Sequence, residues 1–316
     1  MAQYRDVLPQ LGKELFLTDS GLETELIYNQ GVDLPQFAAF PLVDDGDGSQ
    51  RLRRYFAGHA AVAAQAGVGF VFESATWRAN ADWGARLGYD TKALDRVNRK
   101  AIDLLAEVRT ENADTRRPSP ISGCVGPRDD GYAPGALMTA EAARAYHRRQ
   151  ISTFADTDAD LVTAMTLTYP DEAIGIARAA RDAEIPVVLS FTVETDGHLP
   201  NGSTLAAAIQ AVDDATDAYP AYYMINCAHP SHFASVLDSD AQWATRVRAV
   251  RANASRKSHA ELDAATELDP GDPIAFGREH ADLRSRFPQL TILGGCCGTD
   301  LRHIEQIAAN CLGADR

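Results

Sequence analysis

Eight apolar, β-branched runs recur along this chain, each followed by a segment of different character, and that alternation limits the fold more than any other feature. The runs are LFLTDS (15–20), VGFVFES (68–74), PISGCVG (120–126) and LVTAMTL (161–167), then PVVLSFTV (186–193), YYMINCA (222–228), TRVRAVRANA (245–254) and LTILGGCC (290–297). They are nearly continuous in apolar residues, the pattern of parallel strands covered on both faces. The segments between them read as helices. Thr139 is placed to cap a helix with Glu141 in its first turn, and a second helical stretch opens at Pro170 and stops at Pro186. Near the end Ile304, Ile307, Ala308 and Cys311 form one apolar stripe. Eight strand–helix alternations in 316 residues predict an α/β fold, a single (β/α)8 TIM barrel over 1–316. A doubly wound open sheet competes, but no G-x-G-x-x-G follows the first run. The polar stretch 254–288 reads as a loop plus the helix before the last strand. DDGDG (44–48) lacks the spaced oxygen ligands of a calcium loop and reads as a solvated turn.

The formal charge of -14 argues against nucleic acid or an anionic membrane as partner. No apolar stretch approaches the roughly 20 residues of a membrane helix, and charges interrupt the start of the chain where a signal peptide needs an apolar segment. Five cysteines, an odd and small number, suit a reducing cytoplasm better than a disulfide framework. The thiols are then available for chemistry. The sequence leaves the oligomeric state open, a homo-oligomer included.

In such a barrel, chemistry gathers at the C-terminal ends of the strands. Cys227 closes the sixth run, and Cys296 and Cys297 close the eighth, so three sulfurs can share one rim. Three thiolates suit zinc and leave a fourth tetrahedral position for a substrate. Gly294 and Gly295 are expected to let the backbone bend so that both neighbouring thiols face one point. The competing readings are inert buried cysteines or a redox-active vicinal pair. Cys124 and Cys311 read as core. His229 reads as a ligand, a donor to one, or an exposed loop residue, and His147, His259, His280 and His303 as surface residues of helices.

YYMINCAHP, ILGGCCGTD and LTDSGLETEL together resemble the homocysteine S-methyltransferase family, over nearly the whole chain. The resemblance implies a (β/α)8 barrel with zinc held by Cys227, Cys296 and Cys297 as the catalytic centre. It places Asp19 near the amino group of the amino-acid acceptor, although Ser20 and Glu23 also match a plain capping box. FESATW (72–77) falls where the family cradles the acceptor's carboxylate, making Glu73, Ser74 and Thr76 substrate-binding candidates. Trp77 is either core or one face of an onium pocket, and Glu194 either pairs with an onium donor or is a loop charge. Two departures stand out. Met165 falls where many relatives carry a glutamate for the ammonium group, and Glu73 where some carry glutamine. Either the carboxylate has moved across the rim or the acceptor is not homocysteine. The implied reaction is transfer of a methyl group from a small sulfonium or quaternary ammonium donor, of the S-methylmethionine or betaine type, to a thiol. A donor carried on folate or cobalamin is not expected, as little chain follows GGCCGTD. Zinc hydrolysis would call for His and carboxylate ligands; a non-catalytic zinc- or thiol-binding barrel would use the same three cysteines.

Overall fold

Every one of the eight runs forms parallel strand, and one of them forms two. In the computed structural model, which describes residues 2–112, 117–237 and 241–312, the strands are β1 (Phe16–Leu17), β2 (Gly69–Phe70), β3 (Phe72–Glu73), β4 (Ile121–Val125), β5 (Leu161–Leu167), β6 (Val187–Phe191), β7 (Tyr222–Asn226), β8 (Val247–Ala252) and β9 (Ile292–Gly295). The sheet order is β2-β1-β9-β8-β7-β6-β5-β4-β3. Since β2 and β3 are the two halves of the run 68–74, separated by Val71, the order closes on itself. Phe16 stands opposite both Gly69 and Ile292, and Phe72 opposite Ile121. The result is the (β/α)8 barrel that the alternation predicts.

The inner and outer faces separate by strand parity. Phe16, Val71, Cys124, Leu161, Met165, Val188, Tyr222, Met224, Ala249 and Ile292 pack together inside the barrel. Their neighbours Leu17, Phe72, Val125, Val162, Leu189, Tyr223, Val250 and Leu293 face the helices in the larger outer core.

The helices start where the side chains can cap them. Thr139 accepts from the Ala142 amide at the head of Ala140–Ala155, and Pro170 opens Pro170–Asp182. Asp272 accepts from Ile274 and Ala275 ahead of Pro273–Arg286. The segment 44–48 is not a solvated turn: Asp45 caps the helix Gly46–Ala66 by accepting from Gly48, so the acidic cluster begins a helix. Between β7 and β8 the described residues hold only the short helix Pro230–Phe233 and the 3-10 turn Gln242–Arg246. Within 254–288 the loop carries a short extra helix, His259–Asp263, before Pro273–Arg286. Among the described residues no helix is long and apolar enough to cross a membrane.

The four histidines expected at the surface are all buried: His147, His259, His280 and His303 are each at most 5% exposed. They occupy the inward faces of their helices, where ring nitrogens find partners such as the Phe276 and Pro270 carbonyls and Glu172. A histidine on a barrel helix can thus serve as core when a carbonyl or carboxylate meets its ring.

The end of the barrel opposite the cysteines is tied by Asp160. Its carboxylate accepts from the amides of Gln3, Tyr4 and Ile121 at 2.6, 2.7 and 2.8 Å and pairs with buried Arg109 at 3.3 Å. Removing it strands a buried guanidinium and three amides. Asp160→Ala is therefore expected to cost about 3–5 kcal/mol of stability, read as a lower urea midpoint.

Candidate active site

By parity, Tyr222, Met224 and Asn226 of β7 face the barrel interior, so Cys227 ought to face the helices. It does not, because its backbone turns left-handed, with φ at 54°. The turned residue lines a cavity of about 290 Å³ at the C-terminal rim, together with Asn226, Cys296 and Cys297. The sulfurs of Cys227, Cys296 and Cys297 all lie within 4.8 Å of one another. Cys227 and Cys296 are joined in a disulfide with their Cα atoms 5.4 Å apart. Three sulfurs gathered this closely bring two of them within bonding reach.

The turn at Cys227 is held by its own carbonyl, which accepts from Asn253 Nδ2 at 3.0 Å, His259 Nε2 at 2.9 Å and Thr192 Oγ1 at 3.3 Å. A matching irregularity sits on β5, where Thr166 also adopts a positive φ of 63° beside a register shift. Asn226 clamps it. Its Oδ1 accepts from the Thr166 amide and from Ser190, and its Nδ2 donates to Thr166 Oγ1 and lies 3.8 Å from Cys296 Sγ.

Gly294 and Gly295 matter for space and not for a special backbone. A Cβ at Gly294 would collide with the Thr18 side chain and one at Gly295 with Thr299, so only glycine lets β9 pass these neighbours. The left-handed glycine of this stretch is Gly298, φ 80°, just beyond the thiols.

Around the sulfurs the cavity is rich in carboxylates. Asp19, buried at the end of β1, receives the Tyr55 hydroxyl at 3.1 Å and forms an ion pair with Arg251 at 2.9 Å. Glu73 is buried, and its Oε2 has no hydrogen-bond partner. Burial pushes its carboxyl up to about 7, against the downward pull of Arg251 and of the Ser122 and Thr163 hydroxyls. Burial raises Glu23 to about 7 as well.

Of the residues singled out from sequence, Asp19, Glu73, Ser74, Trp77 and the three cysteines line this cavity. Thr76 lies behind it, donating to the Cys124 carbonyl and bonding Ser74 at 2.6 Å. Glu194 also stands back, 3.0 Å from His259 Nδ1. The capping box of Ser20 and Glu23 does not form: the short helix Leu22–Thr24 has no side-chain cap, Ser20 turns to Tyr55 and His59, and Glu23 faces the cavity. His229 is no part of the sulfur cluster. It caps the helix Pro230–Phe233, and burial drives its pKa down to about 3.

Sequence reasoning missed Tyr132, Arg251, Asn226 and Arg78. The Tyr132 hydroxyl donates to Cys297 Sγ at 3.5 Å, and its ring stacks on His259 with centroids 4.0 Å apart. Burial raises the Cys297 thiol to about 11, while the Tyr132 hydrogen bond works to lower it. Tyr132 sits in a Gly- and Asp-rich loop without periodicity, so nothing local announced it. Arg251 had a visible signal: of the three arginines in the run 245–254, it alone shares the strand parity of the inward-facing Ala249.

A family model described as Homocysteine S-methyltransferase matches residues 17–311. The selenocysteine Se-methyltransferase of Brassica oleracea var. italica is 22% identical over 261 residues, covering 75% of this chain and 73% of that enzyme. Among solved structures, the homocysteine methyltransferase MmuM from Escherichia coli superposes in its metallated form with a TM-score of 0.71 at 19% identity, covering 94% of this chain and 96% of MmuM. Its oxidized form gives 0.72 at 21% identity, covering 96% and 98%. These two likenesses are likenesses of fold.

Glu73 supplies a pH test. The folded chain keeps its proton up to about pH 7, whereas a free carboxyl releases it near 4.5. Its contribution to stability is therefore full below 4.5 and lost as pH rises through 7. Glu73→Gln should match the wild type near pH 4.5 and exceed it by on the order of 2–3 kcal/mol at pH 8, measured by urea unfolding at both values.

Proposed function

The chain is a methyltransferase that belongs to the homocysteine S-methyltransferase family, and from that membership we propose that it methylates a zinc-held thiol, homocysteine, to give methionine. The methyl group comes from a small sulfonium or quaternary ammonium donor of the S-methylmethionine or betaine type. The observation that carries this reading is the meeting of three sulfurs from two distant segments at the wall of a small, acid-lined cavity. The donor set suits zinc: three cysteines, no competing histidine in the cluster, and room beside them for a ligand. Zinc held by Cys227, Cys296 and Cys297 would keep the acceptor's sulfur deprotonated at neutral pH, where a free thiol with a pKa of about 8.5 is mostly protonated.

The chain's own residues bind and orient the two substrates. Asp19 and Glu73 meet the cationic groups, and Glu73 Oε2 has no hydrogen-bond partner within the chain. Ser74 offers a hydroxyl on the cavity wall, and Thr76 holds Ser74 in place from behind. Trp77 forms an apolar wall. Glu194 acts at one remove, through His259, on the Cys227 carbonyl and the Tyr132 ring. Three reduced thiols are needed together, which suits a reducing compartment such as the cytoplasm. With Met165 at one rim position and Glu73 at another, a thiol or selenol acceptor other than homocysteine is the second reading, and the relationship to a selenocysteine Se-methyltransferase favours keeping it in the test.

The reduced, zinc-loaded protein is incubated with homocysteine or selenocysteine and a panel of onium donors, and the methylated product is measured. Cys296→Ser is expected to lose zinc and at least about a thousandfold in turnover, the scale of several kcal/mol of lost Lewis-acid assistance. Undiminished turnover in Cys296→Ser, or no product with any thiol or selenol, rejects the proposal.

A further inference from the structure

Among the described residues lining the cavity, two side chains are cations, Arg78 and Arg251. Arg251 is held to the barrel wall by two of its three nitrogens. Its Nε donates to the Gly295 carbonyl at 3.1 Å, and its Nη2 donates to the Ser20 carbonyl at 3.0 Å and pairs with Asp19.

Arg78 is built differently. Its guanidinium lies 3.8 Å from the Trp83 ring centroid and 4.9 Å from that of Trp77. One Nη donates to the Gln36 carbonyl, and the other pairs with Asp130 at 3.3 Å. The side chain is only 10% exposed, and its Nε is sealed from solvent without any acceptor. A buried donor on a charged group is rarely left so, because it forfeits hydration without return. The aromatic rings fix the plane of the fork, and a planar fork with an empty edge matches a carboxylate. The same contacts alter the reading of Trp77: the chain's own guanidinium lies over its ring, so that face is not open to an onium group.

The charges around the cavity support the same ligand. Asp19, Glu23, Glu73, Asp130 and Asp263 share the lining with the two arginines. Acids alone would suit a simple cation. An arginine with a free edge among them suits a molecule carrying both signs.

We propose that Arg78 is a specificity-determining residue of this site, whose guanidinium takes the carboxylate of a zwitterionic amino-acid or betaine-like ligand while the cavity's acids meet the cationic end. The inference rests on the cavity being the substrate site. Both the donor and the acceptor of the proposed reaction can bring such a carboxylate, and the test separates them.

The zinc-loaded full chain and its Arg78→Gln and Arg78→Lys variants are assayed with two matched pairs. The donors are S-methylmethionine and trimethylsulfonium; the acceptors are homocysteine and 3-aminopropane-1-thiol, which lacks the carboxylate. Arg78→Gln should lower kcat/KM for the carboxylate-bearing member of one pair by about ten- to a hundredfold, with its carboxylate-free counterpart changed by no more than about threefold. The pair that loses its discrimination names the substrate Arg78 holds. Arg78→Lys, which keeps the charge without the fork, should recover part of the loss. If Arg78→Gln does not fold, judged by its thermal melt, Arg78→Lys carries the comparison. Equal losses for all four compounds, or unchanged discrimination in both pairs, overturn the assignment and leave Arg78 as a brace for Trp83 and the Gln36 loop. If the wild type transfers no methyl group at all, the proposed function fails, and calorimetric titration of the four compounds into wild type and variant still reads the carboxylate preference by itself.

Discussion

Two adjacent residues of a strand point to opposite faces, so a barrel can place both Asn226 and Cys227 at its mouth only by breaking the alternation between them. The break is the left-handed backbone of Cys227, a conformation that costs a non-glycine residue about 1–2 kcal/mol. Three donors on its carbonyl, from Asn253, His259 and Thr192, offset that cost. They come from the residue after β6, the residue after β8 and the helix His259–Asp263, so much of one rim is committed to turning a single sulfur inward. Asn226, inward by its own parity, holds the second irregularity at Thr166 and approaches Cys296. Without this departure from parity the cysteines of β7 and β9 would lie on different sides of the sheet.

The cavity that results is not uniformly acidic. Its deeper charges are paired or hydrogen-bonded within the barrel, as in Asp19 with Arg251 and Tyr55, whereas Glu73 Oε2 and Arg78 Nε are left without partners. Natural interiors leave few such groups, and each calls for a reason. One is an acceptor and the other a donor, which makes the pocket complementary to a dipolar small molecule.

How much of this could be read from the residues depended on the kind of constraint. The strands were legible because a buried parallel strand must be apolar on both faces, and even the broken run 68–74 kept that signature on either side of Val71. The convergence of Cys227 with the Cys296–Cys297 pair followed from knowing at which end of the barrel each run stops. The histidines were misread because a polar side chain was assigned to the surface although apolar residues share its face. Ile151 and Phe154 lie buried with His147, Phe276 and Leu283 with His280, and Ile304 and Ile307 with His303. Gly294 and Gly295 were rightly noticed for the wrong reason: crowding by Thr18 and Thr299 is a tertiary fact with no local trace. Tyr132 was invisible for a related cause, since its partners Cys297 and His259 are remote in sequence, and Arg78 likewise takes Gln36 and Asp130 from distant segments.

Asp160 gathers amides from the first residues of the described chain and from β4 at the end of the barrel farthest from the sulfurs. The closure of the staves is thus secured at one end, and the loops that carry Tyr132, Arg78 and Glu23 hang from the other. Evolution can consequently redraw the mouth, trading one small substrate for another, without first loosening the hoop that keeps the vessel shut.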